Sequence, residues 1–144
     1  MATGPWSRKI EERLRTYNQR LEAVFKMSAQ NVVRGMTTPR AKGGRMRVRT
    51  GFLRSSLMGS TATMPLINPT SRPPLKTPDN TYDFSLGPIS GVIVSARLSD
   101  TIYLGFTAAY AAPREHFDGF IEAETQKWQG YVAANVARAR AAFP

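Results

Sequence analysis

Between Met64 and Pro88 the chain places six prolines: Pro65, Pro69, Pro73, Pro74, Pro78 and Pro88. Proline has no backbone donor and a fixed φ, so a segment of this density is neither helix interior nor central strand. It stands as an excursion between the strands of a sheet. A structureless stretch of this length inside a compact domain is usually functional or a linker. It reads as an extended arm that leaves the body of the domain and lies on a neighbour.

On the amino-terminal side, Ile10, Leu14, Tyr17, Leu21, Val24, Phe25, Ser28 and Val32 recur at helical spacing and predict one helix over Ser7–Arg34. Ser7 is the expected N-cap and Gly35 the expected stop. Such a rod either lies across its own sheet or packs on another subunit. Met36–Arg49 reads as a loop in which Arg45, Arg47 and Arg49 alternate with Met46 and Val48. Thr50–Leu57 reads as a short helix capped by Thr50, with Leu53 and Leu57 inward. Beyond the arm, Gly91–Arg97 and Thr101–Phe106 read as an antiparallel hairpin turned by Leu98-Ser99-Asp100, with Tyr82–Leu86 as a candidate third strand. The last element is a helix over Gly119–Ala142 with Asp118 as N-cap and a buried stripe of Ile121, Trp128, Val132, Val136, Ala139 and Phe143. The expected class is α+β: a long N-terminal helix, a short capped helix, a small antiparallel sheet interrupted by the proline-rich excursion, and a C-terminal helix. Residues 1–144 are expected to form a single domain, with the basic loop 35–49 and the arm 64–88 as excursions.

Charge is as uneven as proline. The chain carries a net +10. Ten of its bases fall in residues 23–78, where there is no acid between Glu22 and Asp79. Such a block is an interaction surface more often than a folding device. Arg40, Lys42, Arg45, Arg47 and Arg49 are its densest part and the candidate contact surface, for an acidic protein face first and for DNA phosphates second. No zinc-finger, homeodomain, RRM or basic-zipper pattern accompanies them, so base-specific reading is not expected. Aromatic residues are missing from 26–51, which argues against a single-strand stacking platform.

Chemistry finds little material. There is no cysteine and one histidine, His116, which excludes thiolate metal sites and cysteine nucleophiles and leaves no histidine cluster within one chain. Glu122 and Glu124 lie two apart and point to different helix faces. Glu115 and His116 are adjacent, but no nucleophile or phosphate-binding motif joins them. The expectation is no catalytic residue, no metal, no cofactor and no enzyme. No apolar run is long enough for a signal peptide or a membrane helix, so a protein kept in a reducing cytoplasm, with no membrane partner, is expected.

One ordered set of motifs goes further. Thr50-Gly51-Phe52-Leu53-Arg54-Ser55-Ser56-Leu57 resembles the TG-x-LR-x-S(L/I) motif of the tail-completion or head–tail joining proteins of long-tailed bacteriophages, a family that includes the lambda minor tail protein Z. As in that family, a long helix and a basic stretch precede the motif. A Tyr-Ala segment with a nearby glutamate follows it, here Tyr110-Ala111-Ala112-Pro113-Arg114-Glu115. The run Gly119-Phe120-Ile121-Glu122-Ala123 with Gln126-Lys127-Trp128-Gln129 is similar to the end of a subset of the family. The sequence departs from the pattern at Glu115-His116-Phe117, where the family has Glu-(Tyr/Phe)-Gly.

The resemblance singles out Thr50, Gly51, Leu53, Arg54, Ser56, Tyr110, Glu115, Phe120 and Trp128. It implies a structural protein of the virion neck, assembled in the host cytoplasm. Such a protein would form a homo-oligomeric ring, of six copies or alternatively twelve, that completes the tail and joins it to the head. The implied partners are its own copies, the head-connector and tail-tube or tail-terminator proteins, and DNA in the neck channel. The competing reading is a small basic nucleic-acid-binding protein that acts alone.

Overall fold

The computed structural model describes residues 4–142 and has an α+β fold. The order of elements is α1 (Pro5–Thr37), a 3-10 turn (Arg40–Lys42), α2 (Phe52–Ser55), β1 (Leu57–Ser60), α3 (Gly87–Ser95), β2 (Tyr103–Phe106), α4 (Ala111–Asp118), α5 (Phe120–Gln126) and α6 (Trp128–Ala142).

Helix α1 starts earlier and ends later than its pattern suggests. Pro5 opens it at the first helical position, where a missing N–H costs nothing, and Gly4 rather than Ser7 is the cap. It runs through Gly35 to Thr37 and stops because Thr38 precedes Pro39 and is held extended. Its 33 residues make a rod of about 50 Å. Only its second half is covered. Val24, Ser28, Ala29, Val33 and Met36 are buried against α3, α5 and α6, whereas Ile10, Leu14 and Tyr17 are each more than half exposed and Trp6 is 81% exposed.

Gly35 is a packing residue. A Cβ there would stand 2.0 Å from the carboxylate of Glu124, which α5 presses onto α1. Glu124 is itself buried and receives hydrogen bonds from Lys127 and from the Tyr131 hydroxyl. Nearby, the Asn135 amide of α6 donates to Ser28 Oγ at 3.0 Å and to Asn31 Oδ1 at 2.9 Å. The seam between the long helix and the C-terminal helices is therefore polar as well as apolar. Gly35→Ala is expected to cost about 1 kcal/mol, because displacing the Glu124 carboxylate outweighs the ~1 kcal/mol of helix propensity gained. Chemical denaturation measures this, and a stabilised variant would contradict the close approach.

The same seam carries a pH signature. Burial first, then the hydrogen bond to Glu124 and that residue's charge, push the Tyr131 phenol from 10.0 up to about 12. A raised phenol favours the protonated folded form. Its contribution is complete below pH 10 and is lost as pH rises toward 12. Tyr131→Phe should thus differ from the parent by about 1 kcal/mol at neutral pH. The difference should shrink between pH 10 and 12 in parallel unfolding curves.

The sheet is smaller and differently paired than the hairpin reading. β1 pairs antiparallel with β2, in the register Leu57↔Phe106, Met58↔Gly105, Gly59↔Leu104 and Ser60↔Tyr103. The expected strand at Gly91–Arg97 instead falls in the second half of α3 and the residues just after it. Pro88 lies in its first turn, and Ile89, Ile93 and Ala96 form a helical stripe buried on β1 and α1. The alternation of Val92, Ile93 and Val94 reflects β-branching without strand geometry, since Val94 is 64% exposed. The turn at 98–100 is present, with the Arg97 N–H donating to Asp100 Oδ2 at 2.8 Å, but it joins α3 to β2. Tyr82–Leu86 is irregular, with Phe84 and Leu86 packed on the core.

The proline-rich arm stays on the body. Asn68 N–H donates to Thr107 O, Ala109 N–H to Ser71 O, Asn80 N–H to Arg49 O and Tyr82 N–H to Thr50 O, all at 2.8–2.9 Å. The side chains along the arm remain largely in solvent, Leu66 and Leu75 most of all. The expected C-terminal helix over Gly119–Ala142 is two helices, α5 and α6, and a further helix, α4, precedes them. α4 ends at Gly119, and a second break at Lys127 separates α5 from α6. Of the stripe expected to be buried there, Ala139 is buried, Ile121, Val132 and Val136 are half-buried, Trp128 is exposed, and Phe143 lies outside the described residues.

Candidate functional site

The segment 45–54 carries three of the candidate bases and four of the nine residues singled out by motif. Met46 is fully buried and Val48 half-buried, so Arg45, Arg47 and Arg49 face outward as their alternation predicts. Thr50 and Gly51 then turn the chain into α2. The cap position belongs to Gly51 rather than Thr50. The Thr50 hydroxyl, buried one residue earlier, accepts the Phe52 N–H at 3.2 Å. Gly51 has φ +84°, and a Cβ there would meet the Tyr82 carbonyl oxygen at 2.2 Å. The motif glycine thus lets the end of the proline-rich arm lie directly on the α2 turn.

Leu53 and Leu57 are both buried, although Leu57 begins β1 instead of ending a helix. Ser56 locks the transition. Its hydroxyl donates to Leu53 O at 2.6 Å, and its carbonyl accepts both the N–H and the hydroxyl of Thr107. Tyr110 arrives from the distant Tyr-Ala segment. Its ring packs beside Phe52 at 6.1 Å. Burial raises the Tyr110 phenol above its ordinary value, opposed by the Leu53 backbone and by the nearby Arg49. The two separate motif segments therefore meet at one place.

Around that place is a cavity of about 400 Å³ lined by Arg47, Arg49, Arg54, Arg114, Pro73, Phe52 and Tyr110 together with the 50–51 backbone. The guanidinium of Arg54 lies over the Phe84 ring at 5.7 Å, and its Nε is buried without a hydrogen-bond acceptor. Arg49 reaches Asp79 only at 3.8 Å, between two exposed side chains. Arg114 is paired with Asp118 at 2.6 Å.

The five bases of the candidate patch are thus not one surface. Arg40 turns inward to Asp118 at 3.2 Å. Lys42 and Arg45 are exposed outside the cavity, and Arg47 and Arg49 belong to its wall.

Asp118 does not cap the following helix. Its carboxylate, with the side chain 2% exposed, accepts from Arg114 and Arg40. Glu115 takes the capping role, its two oxygens receiving the N–H groups of Ile121 and Glu122 at 2.9 Å each. With both oxygens so engaged, Glu115 forms no dyad with His116, which is exposed and stacks edge-on against Phe117. Phe120 is buried edge-to-face on Phe106 at 5.1 Å and anchors α5. Trp128 lies apart from the cavity, 39% exposed, in a groove with Phe25, Ala29, Val32, Ile102 and Leu104.

Arg114 and Pro73 are cavity residues that the motif reading leaves out. The Arg114–Asp118 pair carries a legible signal, since base and acid stand four apart. Nothing local marks Pro73, which the arm brings in. Among the described residues no group of three or more His, Cys, Asp or Glu side chains is placed to hold a metal ion, and no helix is long and apolar enough to cross a membrane. No family model, curated protein or solved structure matches the chain.

Proposed function

We propose that this chain is a structural protein of a long-tailed bacteriophage neck, completing the tail end and joining tail to head as part of a homo-oligomeric ring. The observation that carries the reading is the convergence of Thr50, Gly51, Leu53, Arg54 and Ser56 with Tyr110, two motif segments far apart in sequence that build one joint. The motif residues set a backbone turn, bury two leucines and hold an arginine. These are tasks of a rigid connector rather than of a catalyst.

Two further features support assembly. The first half of α1 exposes Trp6, Ile10, Leu14 and Tyr17 along one stripe, an apolar face of the kind that marks association surfaces. Its spacing alternates four and three from Ile10 to Val24, the seam of helix-on-helix packing. A ring of six matches the symmetry of a tail tube, and twelve would match a connector. In this reading the partners are adjacent copies and the connector and tail-tube or terminator proteins, in a virion assembled in the host cytoplasm.

The exposed bases Lys42, Arg45, Arg47 and Arg49 favour a second reading, a basic protein that binds nucleic acid by itself. Size-exclusion chromatography with light scattering, paired with a duplex-DNA mobility assay at ~0.15 M salt, separates the two. The neck reading expects rings, or assembly that requires a partner, without tight duplex binding. A monomer that binds duplex DNA tightly overturns it.

A further inference from the structure

We propose that the cavity between α2, the 47–51 segment and α4 is a receptor for a carboxylate-bearing protein segment, a glutamate- or aspartate-containing peptide whose acidic side chain enters the recess. The inference rests on the cavity alone and stands whether or not the chain sits in a neck.

The first argument is charge. Four guanidinium groups line about 400 Å³, and two carboxylates answer them. One of these, Asp118, is committed to Arg114 and also holds Arg40, which lies outside the cavity lining. The other, Asp79, meets Arg49 at the long distance of 3.8 Å with both side chains about 70% exposed, where an ion pair contributes little. Arg47 meets no carboxylate among the described residues. The recess therefore holds an excess of positive charge that nothing among the described residues neutralises.

The second argument is the buried, unpartnered Nε of Arg54. A buried donor without an acceptor is costly. Here the stacking of the guanidinium on Phe84 holds it in place. An arginine fork presents two parallel donors to one planar carboxylate, so a small rotation of Arg54 toward an entering carboxylate would satisfy Nε and a terminal nitrogen together.

The third argument selects a protein segment over nucleic acid. The recess is of the size that takes a side chain or small group, and a duplex backbone cannot enter it. Base stacking needs a free aromatic face. The two rings in the wall are engaged with each other, and Phe52 also meets Tyr82 edge-on at 5.1 Å. The remaining wall of Phe52, Leu53, Pro73 and Tyr110 is apolar, matching the methylene groups of a glutamate rather than a second phosphate.

The test is fluorescence anisotropy with a labelled octapeptide containing four glutamates separated by alanine and serine, at ~0.15 M salt. Because the whole chain carries +10, two double variants of equal charge change are compared. Arg47→Gln with Arg54→Gln removes cleft donors. Lys42→Gln with Arg45→Gln removes charge outside it. The expected result is at least a tenfold loss of peptide affinity for the first and less than twofold for the second. Arg54→Lys, which keeps the charge and loses the fork, is expected to weaken binding at least threefold with an unchanged circular dichroism spectrum. Should the Arg54→Gln variant unfold, Arg47→Gln with Arg49→Gln, at exposed side chains, makes the same comparison. Equal losses for cleft and outside variants overturn the proposal, since attraction is then generic. So does a 20-base-pair duplex that binds more tightly than the peptide and depends on the same cleft arginines.

Discussion

Asp118→Ala is expected to remove about 3 kcal/mol of folding stability, near the lower end of what breaking a buried charge pair costs. The carboxylate is almost wholly buried and accepts from Arg114 Nε at 3.2 Å and Nη2 at 2.6 Å. Its removal leaves a largely buried guanidinium with no counter-charge. The second partner, Arg40, is 56% exposed and returns to water at little cost, which holds the estimate down. Asp118→Asn keeps the shape and one acceptor and is expected to cost about 2 kcal/mol. Urea unfolding followed by circular dichroism measures both. A loss below about 0.5 kcal/mol, the range of ordinary surface substitutions, would show that the pair is incidental.

Gly51→Ala is the other large effect, again about 3 kcal/mol. Two costs combine at this position. A φ of +84° is strained for any residue with a Cβ, and the Tyr82 carbonyl oxygen would stand 2.2 Å from the new atom. That oxygen belongs to a backbone held by the Tyr82 N–H bond to Thr50 O, so it cannot swing aside as a flexible side chain would. The variant must lift the end of the proline-rich arm off α2. Thermal unfolding should show the loss, and amide exchange at Tyr82 should rise with it. A variant of unchanged stability, with exchange at Tyr82 also unchanged, would mean that the contact is loose.

These two residues mark where sequence reasoning reached and where it stopped. Gly51 sits in a recognisable local pattern, and the outward face of Arg45, Arg47 and Arg49 followed from simple alternation around buried Met46. Asp118 was misplaced because an acid before a helical pattern has two readings. The pattern predicts an N-cap, but Gly119 closes α4 behind Asp118 and turns its carboxylate inward, leaving Glu115 to cap α5. At α3 the β-branched run Val92, Ile93 and Val94 suggests a strand, whereas the Ile89–Ile93 spacing and Pro88 suit a helix, and burial against β1 decides the outcome. Gly35 carries the same lesson. A glycine near a helix end suggests a stop, whereas this one makes room for Glu124, a contact 89 positions away that no local window contains. The cavity depends on equally distant partners, since Pro73 and Arg114 enter it from separate parts of the chain.

The proposed place in a phage neck is tested most directly by a localised reconstruction of the neck in the particle whose genome encodes this chain. The account predicts density for six copies, or twelve, around the axis between head connector and tail tube. The exposed stripe of Trp6, Ile10, Leu14 and Tyr17 should be covered by an adjacent subunit. A neck without the chain, or with a single off-axis copy, would contradict it.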